Sequence, residues 1–199
     1  MKHQASSGVS IGDKLLNKHH PELGFSLLEL MTVITIVAIT ASITIPLLQK
    51  QIAIREIESL ARRFIAHTQF TRQQALYLGE PVRIEPITEG QWEMGWAVTS
   101  GCIGRGSQSA CTKKVWFSQG KTAPIFFKRG DRHFIDPHTG KTGILFNAAG
   151  AAKMAQGGFV ANRLILGHQT ILSLERHLIV GSGGRWRICD PARDAKRCH

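Results

Sequence analysis

Gly24-Phe25-Ser26-Leu27-Leu28-Glu29-Leu30 opens a stretch in which none of the twenty residues 30–49 carries a charge. As a helix, such a run rises about 30 Å, the depth of a bilayer's hydrocarbon core. Upstream, residues 1–23 are polar, with Lys14, Lys18, His19 and His20 clustered just before Pro21. A basic flank holds its side of a span in the cytoplasm, and Lys50 and Arg55 mark the far end. An ordinary secretory signal has a shorter apolar region that stops at small residues. Thr40-Ala41-Ser42 has those residue types, but the apolar run continues past it. A plain membrane anchor does not account for Glu29, because an ionisable group just inside an apolar span is costly and needs a partner. Pro46 removes one backbone donor inside the run, so a bend or local melting is expected there.

The same seven residues, followed by the apolar run, resemble the processing and methylation motif of type IV prepilins and pseudopilins. The resemblance implies a prepilin peptidase that cuts between Gly24 and Phe25 and methylates the new amino group of Phe25. It also implies that Glu29, fifth in the mature chain, faces the terminal amine of a neighbouring pilin in a filament. A carboxylate and an ammonium desolvated together cost far less than either alone. Pro46 is similar to the proline that kinks the pilin helix. On this reading residues 1–24 are a leader, 25–49 a transmembrane and filament-core helix, and 50–199 a globular head. The precursor is then a single-pass protein of the inner membrane with a periplasmic head, later carried into a pilus or pseudopilus. Its leader is longer than those commonest in that family.

At 199 residues the chain holds one domain beyond the helix, and 43% hydrophobic against 20% charged residues supports a packed core. Lys and Arg number 25 against 14 Asp and Glu, a formal charge of +11. The leader carries Lys2, Lys14 and Lys18 against Asp13 and Glu22, so its loss lowers that charge by only one. The excess points to a polyanion, nucleic acid or an anionic surface, with a generally basic proteome as the alternative. Cys102, Cys111, Cys189 and Cys198 lack the Cys-x-x-Cys spacing of a zinc site. Three disulfide connectivities are open; the local pairs Cys102–Cys111 and Cys189–Cys198 are favoured because each closes a short polar loop. A head outside the cytoplasm is where such bonds persist.

From Gln51 the pattern turns amphipathic. Ile54, Ile57, Leu60, Ala61, Phe64, Thr68, Ala75 and Leu78 recur at helical steps, and Gly79 and Pro81 predict an end near Leu78. After Pro81 short alternating runs predict strands around Val82 and Ile84, Trp92 to Val98, Val115 to Phe117, Ile125 to Phe127, and Ile144 to Phe146. Further strands are expected over 163–166, 170–174 and 177–180, with Gly167-His168-Gln169 as a tight hairpin and a turn at 136–140. A long helix followed by short strands predicts an α+β fold: a helix, transmembrane and then amphipathic, packed on a head of antiparallel sheets.

Phe146-Asn147-Ala148-Ala149-Gly150, and later Ile179-Val180-Gly181-Ser182-Gly183-Gly184-Arg185-Trp186-Arg187, resemble the GspH/FimT branch of pseudopilins and minor pilins. Gly184-Arg185-Trp186-Arg187 is similar to the Gly-Arg-x-Arg element of FimT-like minor pilins, which implies DNA binding in natural transformation. Physically, Arg185 and Arg187 in an extended segment share a face about 6–7 Å apart, near the spacing of phosphates along a strand. Gly181, Gly183 and Gly184 permit close approach and could supply amide donors. Trp186 points the other way, into the core, unless this segment is a loop. Arg193, Lys196 and Arg197 follow in a tail that Cys189–Cys198 closes into a basic loop. The rival is a solvated terminal strand whose arginines only keep an edge soluble. Lys113, Lys114, Lys121, Lys128, Arg129 and Arg132 form a second basic set.

No Gly-x-Ser-x-Gly, Walker or dinucleotide fingerprint is present. His133, His138 and His168 sit in turn-like contexts without ligand spacing. Neither enzymatic activity, a metal nor a cofactor is expected. Three functional readings stand: a DNA-binding minor pilin; a GspH-type pseudopilin or priming subunit of a type II secretion or pilus system that binds no DNA; or an adhesin-like head recognising an anionic surface polymer.

Overall fold

The computed structural model describes residues 26–101, 112–128, 134–136, 140–153, 158, 162–181 and 184–198. Helix α1 (Leu27–Leu78) opens at Ser26, whose carbonyl accepts the Leu30 N–H at 3.1 Å and whose hydroxyl accepts the Leu28 N–H at 3.3 Å. In its apolar half the hydroxyls of Thr32, Thr35, Thr40, Ser42 and Thr44 donate to carbonyls three or four residues back. The span thereby satisfies these hydroxyls internally, as hydrocarbon surroundings require. Pro46 lies within α1 and the helix continues through it, so the local melting expected there does not occur. One missing donor is a small loss in a helix of 52 residues. The helix stops at Gly79 (φ 65°), whose N–H reaches the Ala75 carbonyl at 3.1 Å.

Contacts divide the chain into two compact units, Met1–Thr44 and Ile45–His199. The described part of the first is the start of α1, with its large apolar side chains exposed. Among the described residues α1 is the one helix long and apolar enough to cross a membrane.

In the second unit α1 buries Ala53, Ile57, Leu60, Ala61, Phe64, Thr68, Thr71 and Ala75, a stripe with steps of three and four. Thr68 and Thr71 tolerate burial because their hydroxyls bond the Ile65 and His67 carbonyls, each at 2.7 Å. Against the stripe lie two antiparallel sheets. The first has the order β3-β2-β1-β5-β6, from β1 (Val82–Thr88), β2 (Gln91–Ser100), β3 (Lys114–Gln119), β5 (Ile144–Phe146) and β6 (Ala152–Lys153). The second has the order β4-β7-β8-β9, from β4 (Ile125–Lys128), β7 (Asn162–His168), β8 (Glu175–Val180) and β9 (Trp186–Cys189). This is the α+β architecture expected from the sequence.

Phe64 is fully buried where the sheets converge. Its ring meets Trp92 at 5.4 Å and Trp96 at 5.1 Å from β2, Phe127 at 6.0 Å from β4, and Trp186 at 5.7 Å from β9. Such edge-on and tilted pairs add about 0.5–1.5 kcal/mol each beyond area burial.

Two expectations fail between β7 and β8. Gly167 and His168 belong to β7 and no tight hairpin forms there; residues 170–174 are a turn and not a strand. Gly167 pairs with both Phe126 and Glu175, and a Cβ there would sit 2.6 Å from the Phe126 ring, so its missing side chain serves packing. His168 is buried, with Nε2 2.9 Å from Glu56 Oε2 on α1 and Nδ1 accepting the Thr170 N–H at 3.3 Å. The chain reverses after it, and the Leu174 N–H closes the turn on the Ile171 carbonyl at 2.9 Å.

Candidate nucleic-acid interface

β9 is the outer strand of the second sheet and pairs antiparallel with β8, Val180 opposite Trp186 and Ile179 opposite Arg187. The chain turns back from β8 to β9 between Gly181 and Arg185. The Gly184 N–H donates to the Gly181 carbonyl at 2.8 Å, and the Gly181 N–H to the Arg185 carbonyl at 3.0 Å. Both amides are therefore spent inside the turn. The expectation that Gly181 and Gly184 offer amide donors to a ligand is corrected, and Gly183 lies outside the described residues. Gly184 has φ 71°, a left-handed conformation that L side chains adopt only at a cost.

Trp186 is half-buried against Phe64, and also meets Phe134 at 6.2 Å. Arg185 and Arg187 on either side are exposed. With Trp186 held inward, strand alternation puts both arginines on the outer side of the sheet. Arg163 of β7 joins their row through Ile179, which pairs with both Arg163 and Arg187. At about 4.8 Å per strand this places the Arg163 and Arg187 backbones about 10 Å apart. Arg163 was legible only as a strand residue, since its nearness to Arg187 depends on a register between non-adjacent strands.

Beyond β9 the chain folds back. Cys189 and Cys198 are joined by a disulfide with a Cα–Cα distance of 5.6 Å, and both are buried. Arg163 Nη1 donates to the Cys198 carbonyl at 3.4 Å. Asp190 is held by the buried Arg176 (Nη1 to Oδ2, 3.2 Å), which also reaches Glu58 of α1 at 3.3 Å. The loop is thus tied to β7, β8 and α1. On it Arg193 is exposed, 3.6 Å from Asp190, and Lys196 is exposed in a short 3-10 turn (Ala195–Arg197). The Arg197 side chain lies outside what is described.

Arg72 of α1 was not singled out by sequence. Its Nη1 lies 3.4 Å from where a Cβ on Gly184 would stand, so its guanidinium packs on the turn that precedes Arg185. No local signal reveals this, because 112 residues separate the two positions.

Residues 60–197 match the family described as Type II transport protein GspH. The chain belongs to the GspH family. Residues 20–45 match the prokaryotic N-terminal methylation motif. Among solved structures, the type IV minor pilin FimU of Pseudomonas aeruginosa aligns at 15% identity, over 69% of this chain and 91% of that one, with TM-score 0.49. The minor pseudopilin EpsH from the Type 2 Secretion System of Vibrio cholerae aligns at 10% identity, over 68% of this chain and 98% of that one, with TM-score 0.45. No curated protein sequence matches the chain.

In this GspH-family chain two lysines of the second basic set are paired with carboxylates. Lys113 pairs with Glu85 and Lys128 with Glu175, while Lys114 sits 3.6 Å over the Trp116 ring. The Lys128 hydrogen bond, against the opposing effect of burial, holds the Glu175 carboxyl below its ordinary pKa. Lys121 instead lines a cleft of about 370 Å³ with Arg55 and Arg63. Arg129 and Arg132 lie outside the described residues, as do Gly24, Phe25, Cys102, Cys111, His133 and His138. Glu29 is exposed in the first turn of α1, where a carboxylate also complements the helix dipole. Among the described residues no group of three or more metal-ligating side chains occurs.

Proposed function

We propose that this GspH-family protein is a minor pilin that captures DNA through the outer face of its second sheet. The observation that carries the reading is the pair Arg185 and Arg187, exposed on either side of an inward-held Trp186 at the edge of the head. Arg185 and Arg187 would take phosphates, assisted by Arg193, Lys196 and Arg197 on the tail, with Gly184 shaping the turn. Contacts to phosphate alone make binding independent of sequence and steeply salt-sensitive. Retraction by other machinery would then draw DNA inward during natural transformation.

The precursor fits the same reading. Prepilin peptidase removes residues 1–24 and methylates Phe25, and Glu29 meets the terminal amine of the next pilin in the filament. Before assembly the apolar half of α1 sits in the inner membrane with the head in the periplasm, where disulfides at Cys102–Cys111 and Cys189–Cys198 are maintained. The family description favours a second reading, a GspH-type pseudopilin or priming subunit whose head binds sister subunits and no DNA.

One titration separates them. Full-length protein in neutral detergent should retard duplex DNA of any sequence at low salt. Arg185→Gln with Arg187→Gln should lower the log–log salt slope by about 1.8, two phosphate contacts. Tight binding with an unaltered slope would move the site elsewhere. No binding by the unaltered protein would favour the pseudopilin reading.

A further inference from the structure

We infer that Arg72 of α1 is a third phosphate ligand of this face, an inference that rests on the DNA-binding reading. Its guanidinium packs against Gly184 at 3.4 Å from the missing Cβ, beside Arg185. Among the described residues Arg72 forms no ion pair or side-chain hydrogen bond, although it is half-buried. Its nitrogens are not sealed from solvent, so the planar fork of five N–H donors is open to an incoming phosphate oxygen at the turn. The turn itself cannot serve the anion through Gly181 or Gly184, because both amides are committed internally. With these two amides committed, side-chain donors gain weight there, and Arg72 is one that the helix brings to Gly184.

Its origin on α1 distinguishes Arg72 from the other arginines. Arg185 and Arg187 ride on an edge strand and a turn, whereas Arg72 projects from a rigid helix one turn before its buried Ala75. A ligand held by both elements spans the seam between the helix and the second sheet. A Cβ on Gly184 would stand in ordinary contact with Nη1, so the φ of 71° is what favours glycine there.

The alternative is that Arg72 merely covers the turn as packing. Salt dependence separates the two, since a packing role does not change the number of counterions released. Full-length protein in neutral detergent is titrated with duplex DNA between 50 and 200 mM salt. Arg72→Gln should lower the slope by about 0.9, so that its affinity falls about 3.5-fold less than the unaltered protein's across that range. Arg72→Lys should keep the full slope, because a lysine also neutralises one phosphate. Circular dichroism checks the fold, and Arg72→Met replaces the glutamine variant should that one not fold. A full slope in Arg72→Gln overturns the inference; if Arg185→Gln with Arg187→Gln still flattens the slope, the DNA-binding reading stands without it. A lysine variant as defective as the glutamine one also overturns it, by tracing the effect to shape. Absence of binding by the unaltered protein overturns both.

Discussion

The indole of Trp186 stands edge-on to the phenyl ring of Phe64, with centroids 5.7 Å apart and planes at 77°. Through this contact α1 anchors the edge strand and decides which way its arginines face. Trp186→Ala should destabilise the head by about 3 kcal/mol, the low end for a buried aromatic because Trp186 is only half-buried. Urea unfolding measures the loss. DNA affinity should fall with it, since Trp186 anchors the strand from the face opposite Arg185 and Arg187.

His67 gives the head a pH dependence. Its Nδ1 accepts the Trp96 indole N–H at 3.0 Å, and its ring lies 4.0 Å from that of Phe117. Burial, and secondarily the charge of Arg63, hold its pKa below 6.5. The unfolded chain then binds this proton more readily than the folded one. Stability from His67 is therefore complete above about pH 6.5 and declines as pH falls below it, until the folded group also protonates. Urea midpoints at pH 7.5 and 5.0 should differ in that sense, and His67→Gln should shrink the difference. An equal difference in the variant would assign it to other groups.

Reduction of Cys189–Cys198 should cost about 2–3 kcal/mol, the loop-closure entropy for a loop of this length. Unfolding with and without reductant measures it. Arg176 and Arg163 still hold the loop through Asp190 and the Cys198 carbonyl, so the reduced tail should remain docked in hydrogen exchange.

Gly184→Ala should cost about 1–2 kcal/mol, because φ of 71° is left-handed. Asn, which tolerates that region, should cost less. A thermal melt that ranks Ala with Gly would mean that the turn rearranges freely.

At the amino terminus, mass spectrometry of the mature chain should find methylated Phe25 as its first residue. A start after Ser42 would instead indicate ordinary secretion. Glu29→Leu should leave membrane insertion intact and prevent incorporation into filaments, because the neighbour's amine loses its counter-charge. Incorporation at the normal level would remove Glu29 from assembly.

The long helix, its end at Leu78 and most strands were legible in local periodicity: twenty uncharged residues, steps of three and four, then alternation. The sequence also carried the inward turn of Trp186 between two arginines, since strand alternation is local. The turn after β7 was misjudged because Gly167 looks like a turn residue, whereas its missing side chain makes room for Phe126 across the sheet. The tertiary structure alone decided that Arg163 shares a row with Arg187, that Arg72 meets Gly184, and that the lysines at 113 and 128 are already paired. Those relations join residues tens of positions apart. Their distances come from strand register and helix docking, which depend on how the whole core around Phe64 packs and leave no mark in any short window of sequence.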